Sequence, residues 1–149
     1  MRRLPGLLIA TARQGIKRAV LRRVTGHELT PQQFWMMVAI HERPGISQVD
    51  IVNRTRADAP SVSRALSALV ERGLVRIEPD PGDRRRSLVR LAPAGQRLAR
   101  ELLPIARELR EGMVAGMSAS AVASLCASLQ KIIDNLDALE ARGQERKRA

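Results

Sequence analysis

The stretch that decides the fold is SQVDIVNRTRADAPSVSRALSALVERGLVRIEPDPGDRRRSLVRL, residues 47–91. It opens with Ser47 and, three residues on, Asp50, a box in which a hydroxyl caps the start of a helix. The helix it predicts is short, ending at Arg54 or Thr55, with Ile46, Val49 and Val52 as its apolar contacts. A second helix starts at Asp58-Ala59-Pro60, capped by Asp58 or Ala59, and proline at the first helical position favours Ala59. Val62, Leu66, Leu69 and Val70 line one face of it, and Gly73 ends it. Two strands follow, Leu74–Ile77 and Ser87–Leu91, joined by the turn-rich charged tip Glu78–Arg86. Short helix, turn, short helix and hairpin is the winged helix–turn–helix plan. One helix fits the major groove of duplex DNA while the helix before it braces on the backbone. A basic hairpin beside them can reach the adjacent minor groove.

Outward from this stretch the chain reads as helix. Upstream, Thr30-Pro31-Gln32-Gln33 is a capping box with proline at the first helical position, and the helix it opens stops near Arg43-Pro44-Gly45. Before it, Leu4, Leu7, Leu8, Ile16, Val20 and Val24 recur at helical spacing, with Arg13, Lys17, Arg18, Arg22 and Arg23 opposite, and Gly26 is the expected stop. The opening MRRLPGLLIATA has the layout of a secretion signal, but the helical period runs straight through the supposed cleavage site, so a helix is the preferred reading. Downstream, a helix starts after Pro93 and runs to Met113 or Met117, with Pro104 expected to kink it. A last helix, from Ser118 to about Ala141, carries Val122, Leu125, Leu129, Ile132, Ile133, Leu136 and Leu139 as a wide apolar stripe. The expected class is mainly α with a small β-hairpin wing.

Charge narrows the function. The chain of 149 residues carries a net charge of +11, which points to a polyanionic partner. Residues 1–40 hold seven basic and one acidic residue, residues 41–100 twelve and seven, and residues 101–149 seven of each. The polyanion is therefore expected on the first two thirds, and self-association on the last. Phe34 and Trp35 are the only aromatic residues, which leaves no platform for stacking unpaired bases and favours duplex DNA. The longest apolar run, Phe34–Ile40, is too short to span a bilayer. Two histidines fourteen residues apart and one cysteine, with no Gly-rich phosphate loop, offer nothing to a metal site, a cofactor or an enzyme. Cys126 lies in the apolar stripe of the last helix, where a thiol is usually inert.

The segment resembles the MarR family of bacterial transcription regulators. The likeness spans about residues 30–142 and rests on five marks in order: S-x-x-x-[IL] opening the first short helix, [ST]-V-[ST]-R in the second, L-x-x-R-G-L-V into the wing, D-x-R at its tip, and L-x-P-x-G after it. The resemblance implies a winged helix–turn–helix lobe over 30–92, with dimerisation by residues 1–29 and 93–142 and a disordered basic tail over 143–149. It implies a cytoplasmic homodimeric repressor on a pseudo-palindromic duplex operator. It also implies release by a small aromatic or phenolic effector bound between the dimer helices and the lobe.

Candidate DNA contacts follow. Pro60, Ser61, Ser63 and Arg64 lie away from the apolar face of the second short helix, and arginine can bind guanine through both acceptors of its major-groove edge. Pro60 replaces the polar residue common in the family. Ser47 and Gln48 open the first short helix, where a phosphate binds well, and Arg54 and Arg56 flank the turn. At the wing tip the resemblance aligns Arg85 with the minor-groove arginine, has Asp83 brace it, and leaves Arg84 and Arg86 to phosphates. The other reading is a winged helix that docks on an acidic protein.

Overall fold

A computed structural model describes residues 4–55 and 57–148. Two units are distinguished, Met1–Arg110 and Glu111–Ala149. The elements in order are α1 (Pro5–Val24), a 3-10 turn (Thr25–His27), α2 (Pro31–Glu42), β1 (Ile46–Ser47), α3 (Gln48–Thr55), α4 (Ala59–Glu71), β2 (Val75–Pro79), β3 (Ser87–Leu91), α5 (Pro93–Met113) and α6 (Ala119–Arg148). The expected mainly helical class with a hairpin wing is the one observed.

The core of the first unit is built on α2. Its start is the expected capping box: the Thr30 hydroxyl accepts the Gln33 N–H at 3.1 Å, and the Gln33 side chain accepts the Thr30 N–H at 2.9 Å. Phe34, Met36, Met37 and Ile40 are then fully buried, with Val38 and Ala39 nearly so. A helix apolar on all sides can only sit in the middle of a domain. Around it close Val20 and Val24 of α1, Ile51 of α3, Val62, Leu66 and Leu69 of α4, Val89 of β3 and Leu102 of α5. Each such side chain contributes roughly 1.5–3 kcal/mol by leaving water.

The wing is part of a three-stranded antiparallel sheet in the order β1-β3-β2. β1 was not expected, because two residues carry no period; Ile46 pairs with Val89 and Ser47 with Leu88. β2 starts one residue later than predicted and runs on to Pro79, which pairs with Ser87. Proline is tolerated there because β2 is an edge strand. The fully buried residue of α3 is Ile51, which was not expected; of the apolar contacts expected for the helix, Ile46 is buried and Val52 packs against the core, but Val49 is 61 % exposed. Val70 of α4 is likewise exposed.

α1 ends at Val24, the expected last residue, but Gly26 is not the residue that stops it. It tightens into the 3-10 turn, and Glu28, at φ 54°, takes the left-handed position instead. The Arg72 guanidinium donates to the carbonyls of Glu28 at 2.7 Å and His27 at 3.1 Å, which ties this turn to the end of α4. Arg23 of α1 meets Glu108 of α5 at 2.6 Å and holds that carboxyl below its ordinary range. A carboxylate lowered in the folded state stabilises at neutral pH, and that contribution is lost as pH falls through the lowered value. α5 continues as one helix through Pro104, whose ring is exposed.

In the second unit, α6 has no buried residue among those whose side chains are described. Leu125, Leu136 and Leu139 are 42, 54 and 60 % exposed, and Cys126, expected in apolar surroundings, is exposed as well. α6 extends to Arg148, so the segment expected as a disordered tail is helical up to that residue.

Gly95 is where α5 meets the sheet. A Cβ placed on it would lie 1.9 Å from the carbonyl oxygen of Leu74, which already accepts the Ala92 N–H at 2.9 Å. Backbone on both sides cannot yield as a flexible side chain would. Gly95→Ala is expected to lower the unfolding free energy by about 1–3 kcal/mol, measured by urea denaturation.

Candidate nucleic-acid interface

The exposed face of α4 is set by its cap. Asp58, not Ala59, is the N-cap: its carboxylate accepts the Ser61 N–H at 2.8 Å, and Pro60 sits within the first turn. Proline fits there equally well, because the first amides of a helix have no partner inside it. Turning Val62, Leu66 and Leu69 into the core leaves Pro60, Ser63 and Arg64 outward and exposed, as expected. Ser61 departs from the expectation. It is half-buried, and its hydroxyl lies 3.4 Å from the Gln32 side-chain oxygen, so it faces α2 and not the groove side.

Of the two residues expected to open α3 onto a phosphate, Ser47 is only 2 % exposed. Its hydroxyl accepts the Asp50 N–H at 3.0 Å and is spent on capping. Gln48 remains half-exposed at the mouth of a 260 Å³ cleft shared with Arg85 and Arg86. Arg54 is not free, since it pairs with Glu42 at 2.9 Å. Arg56 lies outside the described residues.

The wing tip is ordered by two aspartates acting on backbone. Asp80 accepts the Gly82 N–H at 2.8 Å, and Asp83 accepts the Arg85 N–H at 3.0 Å. Such turns, closed by a side chain two residues back, are a common use of aspartate. The Asp80 N–H to Arg86 carbonyl bond at 3.0 Å closes the loop. Asp83 thus braces Arg85 through its amide and leaves the guanidinium outward. Arg84 and Arg85 are exposed and have no side-chain partner among the described residues. Arg86 is held back, 3.4 Å from Asp50, and so ties the wing to α3. The Ser47 hydroxyl, more than the neighbouring Arg43 and Arg86 charges, holds the Asp50 carboxyl below its ordinary value. Glu78 on the wing stem is shared by Arg76 at 3.1 Å and Arg90 at 3.6 Å.

On the other side of the turn lies a cavity of about 720 Å³ that sequence reading did not locate. Its walls come from α1 (Arg13, Ile16, Lys17), α2 (Gln32, Trp35, Val38, Glu42), the α3–α4 turn (Arg54, Thr55, Ala57) and Arg110 of α5. Trp35 packs its ring edge-on against Phe34, 4.8 Å between centroids. No local motif joins these residues; only the alternation of basic and apolar positions along α1 hinted at one wall. Among the described residues no group of three or more His, Cys, Asp or Glu could hold a metal ion.

A model of the MarR family matches residues 27–86. The chain is similar to the HTH-type transcriptional repressor NicR of Pseudomonas putida, 31 % identical over 108 residues, which are 72 % of this chain and 68 % of that protein. It is also similar to the transcriptional regulator HosA of Escherichia coli, 33 % identical over 91 residues, 61 % of this chain and 67 % of that one. Among solved structures it resembles Bordetella bronchiseptica BpsR, whose DNA binding is regulated by 6-hydroxynicotinic acid. That match has a TM-score of 0.74 at 28 % identity and covers 88 % of this chain and 94 % of that one. A MarR variant of Escherichia coli in complex with operator DNA matches with a TM-score of 0.71 at 26 % identity, over 85 % of this chain and 91 % of that one.

The cap on α4 is open to direct test. Asp58→Ala removes the acceptor for the Ser61 amide and is expected to cost about 1 kcal/mol, read as a lower denaturation midpoint with an unchanged slope.

Proposed function

The chain belongs to the MarR family and is a transcription regulator, not an enzyme; from that premise we propose how it binds and releases DNA. It acts as a homodimeric repressor on a pseudo-palindromic duplex operator. α4 enters the major groove with Ser63 and Arg64 toward the bases. The wing presents Arg84 and Arg85 to the adjacent minor groove and its phosphates. Gln48 stands at the edge of the same face.

One observation carries this reading. The acidic groups of α3, of the start of α4 and of the wing are engaged: Asp50 by Ser47 and Arg86, Asp58 by the Ser61 amide, Glu78 by two arginines, Asp80 and Asp83 by turn amides. Arg64, Arg84 and Arg85 have no such partner among the described residues. Unpaired guanidinium groups on a helix start and a hairpin tip can meet phosphates without first giving up an ion pair. That a MarR variant similar in structure forms a complex with operator DNA supports duplex DNA as the partner.

Dimerisation is supported by apolar surface. Leu4, Leu7 and Leu8 of α1 are 66, 66 and 51 % exposed, and α6 carries its own exposed leucines. Exposed leucines clustered on a helix in this way support association, in each unit taken by itself. Among the described residues no helix is long and apolar enough to cross a membrane, in keeping with a cytoplasmic regulator.

The effector site is the 720 Å³ cavity, a volume that suits a small organic ligand. Its Trp35 ring and its cations Arg13, Lys17, Arg54 and Arg110 favour an aromatic acid. BpsR, regulated by 6-hydroxynicotinic acid, is a relative with such a ligand. Filling the cavity displaces the α3–α4 turn and so weakens the hold on DNA.

Selection of bound sites from random duplexes is expected to return an inverted repeat with half-sites about 10 base pairs apart. Arg64→Ala is expected to relax preference at one base of each half-site, at a cost of about 1–3 kcal/mol. Arg85→Ala weakens binding most where A·T pairs flank the half-sites and lowers the salt slope by about 1. Unchanged affinity of Arg85→Ala at moderate salt would sink the wing assignment. Binding to acidic proteins, with no duplex selected, would replace the whole reading.

A further inference from the structure

Glu42 ends α2, a position where a negative charge is disfavoured by the helix dipole. It is not there for the helix. One carboxylate oxygen accepts from Arg54 at 2.9 Å and the other from Arg110 at 2.5 Å. Arg54 closes α3 and Arg110 lies on α5, so a single carboxylate joins three helices at the cavity wall. The other acid on that wall, Asp58, is committed to capping α4.

We infer that Glu42 is the specificity-determining residue of the cavity: an internal carboxylate that occupies the two arginines an acid ligand needs and is displaced by it. This rests on the reading that the cavity takes an aromatic acid. The chemistry is an exchange of like for like. Arginine binds a carboxylate through a planar fork of donors, and the ligand's carboxylate presents the same two oxygens that Glu42 does. The resident pairs are weak enough to exchange, because both arginine side chains are 51 % exposed and Glu42 is 31 % exposed. A neutral amide of the same ligand has no charge with which to compete. Displacing Glu42 also undoes the ion pairs by which α2 holds α3 and α5 at the cavity wall, so charge recognition and release of the turn become a single event.

The test is calorimetric titration of the full chain with 6-hydroxynicotinate and with 6-hydroxynicotinamide. Glu42→Gln keeps the shape and removes the competitor, and is expected to raise affinity for the acid roughly five- to ten-fold while leaving the amide unchanged. Glu42→Asp keeps the charge but is too short to span both arginines, and is expected to give about a two- to three-fold gain. If the wild-type protein binds the acid and neither variant binds it more tightly, the inference is wrong and the effector site stands. An equal gain for acid and amide overturns it too, because relief of crowding would then be the cause. If no form binds the acid, the inference and the effector reading fall together. Acid binding by Glu42→Gln alone supports both.

Discussion

Everything in the first unit hangs on the burial of one helix. Phe34–Ile40 is apolar without a break, and all of it but Trp35 is sealed from water. A helix with no polar face must be covered on every side. α1, α3, α4, β3 and α5 supply the cover, and the order in which they do so leaves α4 with one face bound and one free. The outward Arg64 is a by-product of the inward Val62, Leu66 and Leu69. Packing therefore aims the residues proposed to meet DNA before any such contact exists.

Electrostatics completes what packing begins. The chain is strongly basic, yet the acids near the exposed helix are neither absent nor idle. Asp50, Asp58, Asp80 and Asp83 are turned to structural work: capping a helix, closing a turn, pinning the wing to α3. An aspartate satisfied by backbone amides still carries charge, but its oxygens are directed inward and its neighbours' guanidinium groups are left to solvent. Selectivity between arginines arises the same way. Arg86 and Arg54 are tied down and Arg84 and Arg85 are not, although all four look alike in the chain.

Much of this was legible from residue order, because caps, turns and wing chemistry are local. Thr30 with Gln33 and Ser47 with Asp50 act over three positions, and the structure places them as spacing predicts, while the brace from Asp83 to Arg85 was implied by the family resemblance. What failed were questions of rotation and partnership. Ser47 and Ser61 read as groove residues, but one is sealed under β3's pairing and the other faces Gln32. A helix of eight residues such as α3 is too short for its apolar period to say whether Val49 or Ile51 points inward. The lining of the cavity was not legible because its walls come from four helices distant in the chain, and no pattern along one of them announces a shared cleft.

The bond from Arg72 to the carbonyls of Glu28 and His27 has a mechanical meaning. It closes the neck of a loop that leaves α1 and returns only after α4 has been traversed. The turn after α1 and the end of α4 are thereby joined directly, across the more than forty residues that separate them in the chain.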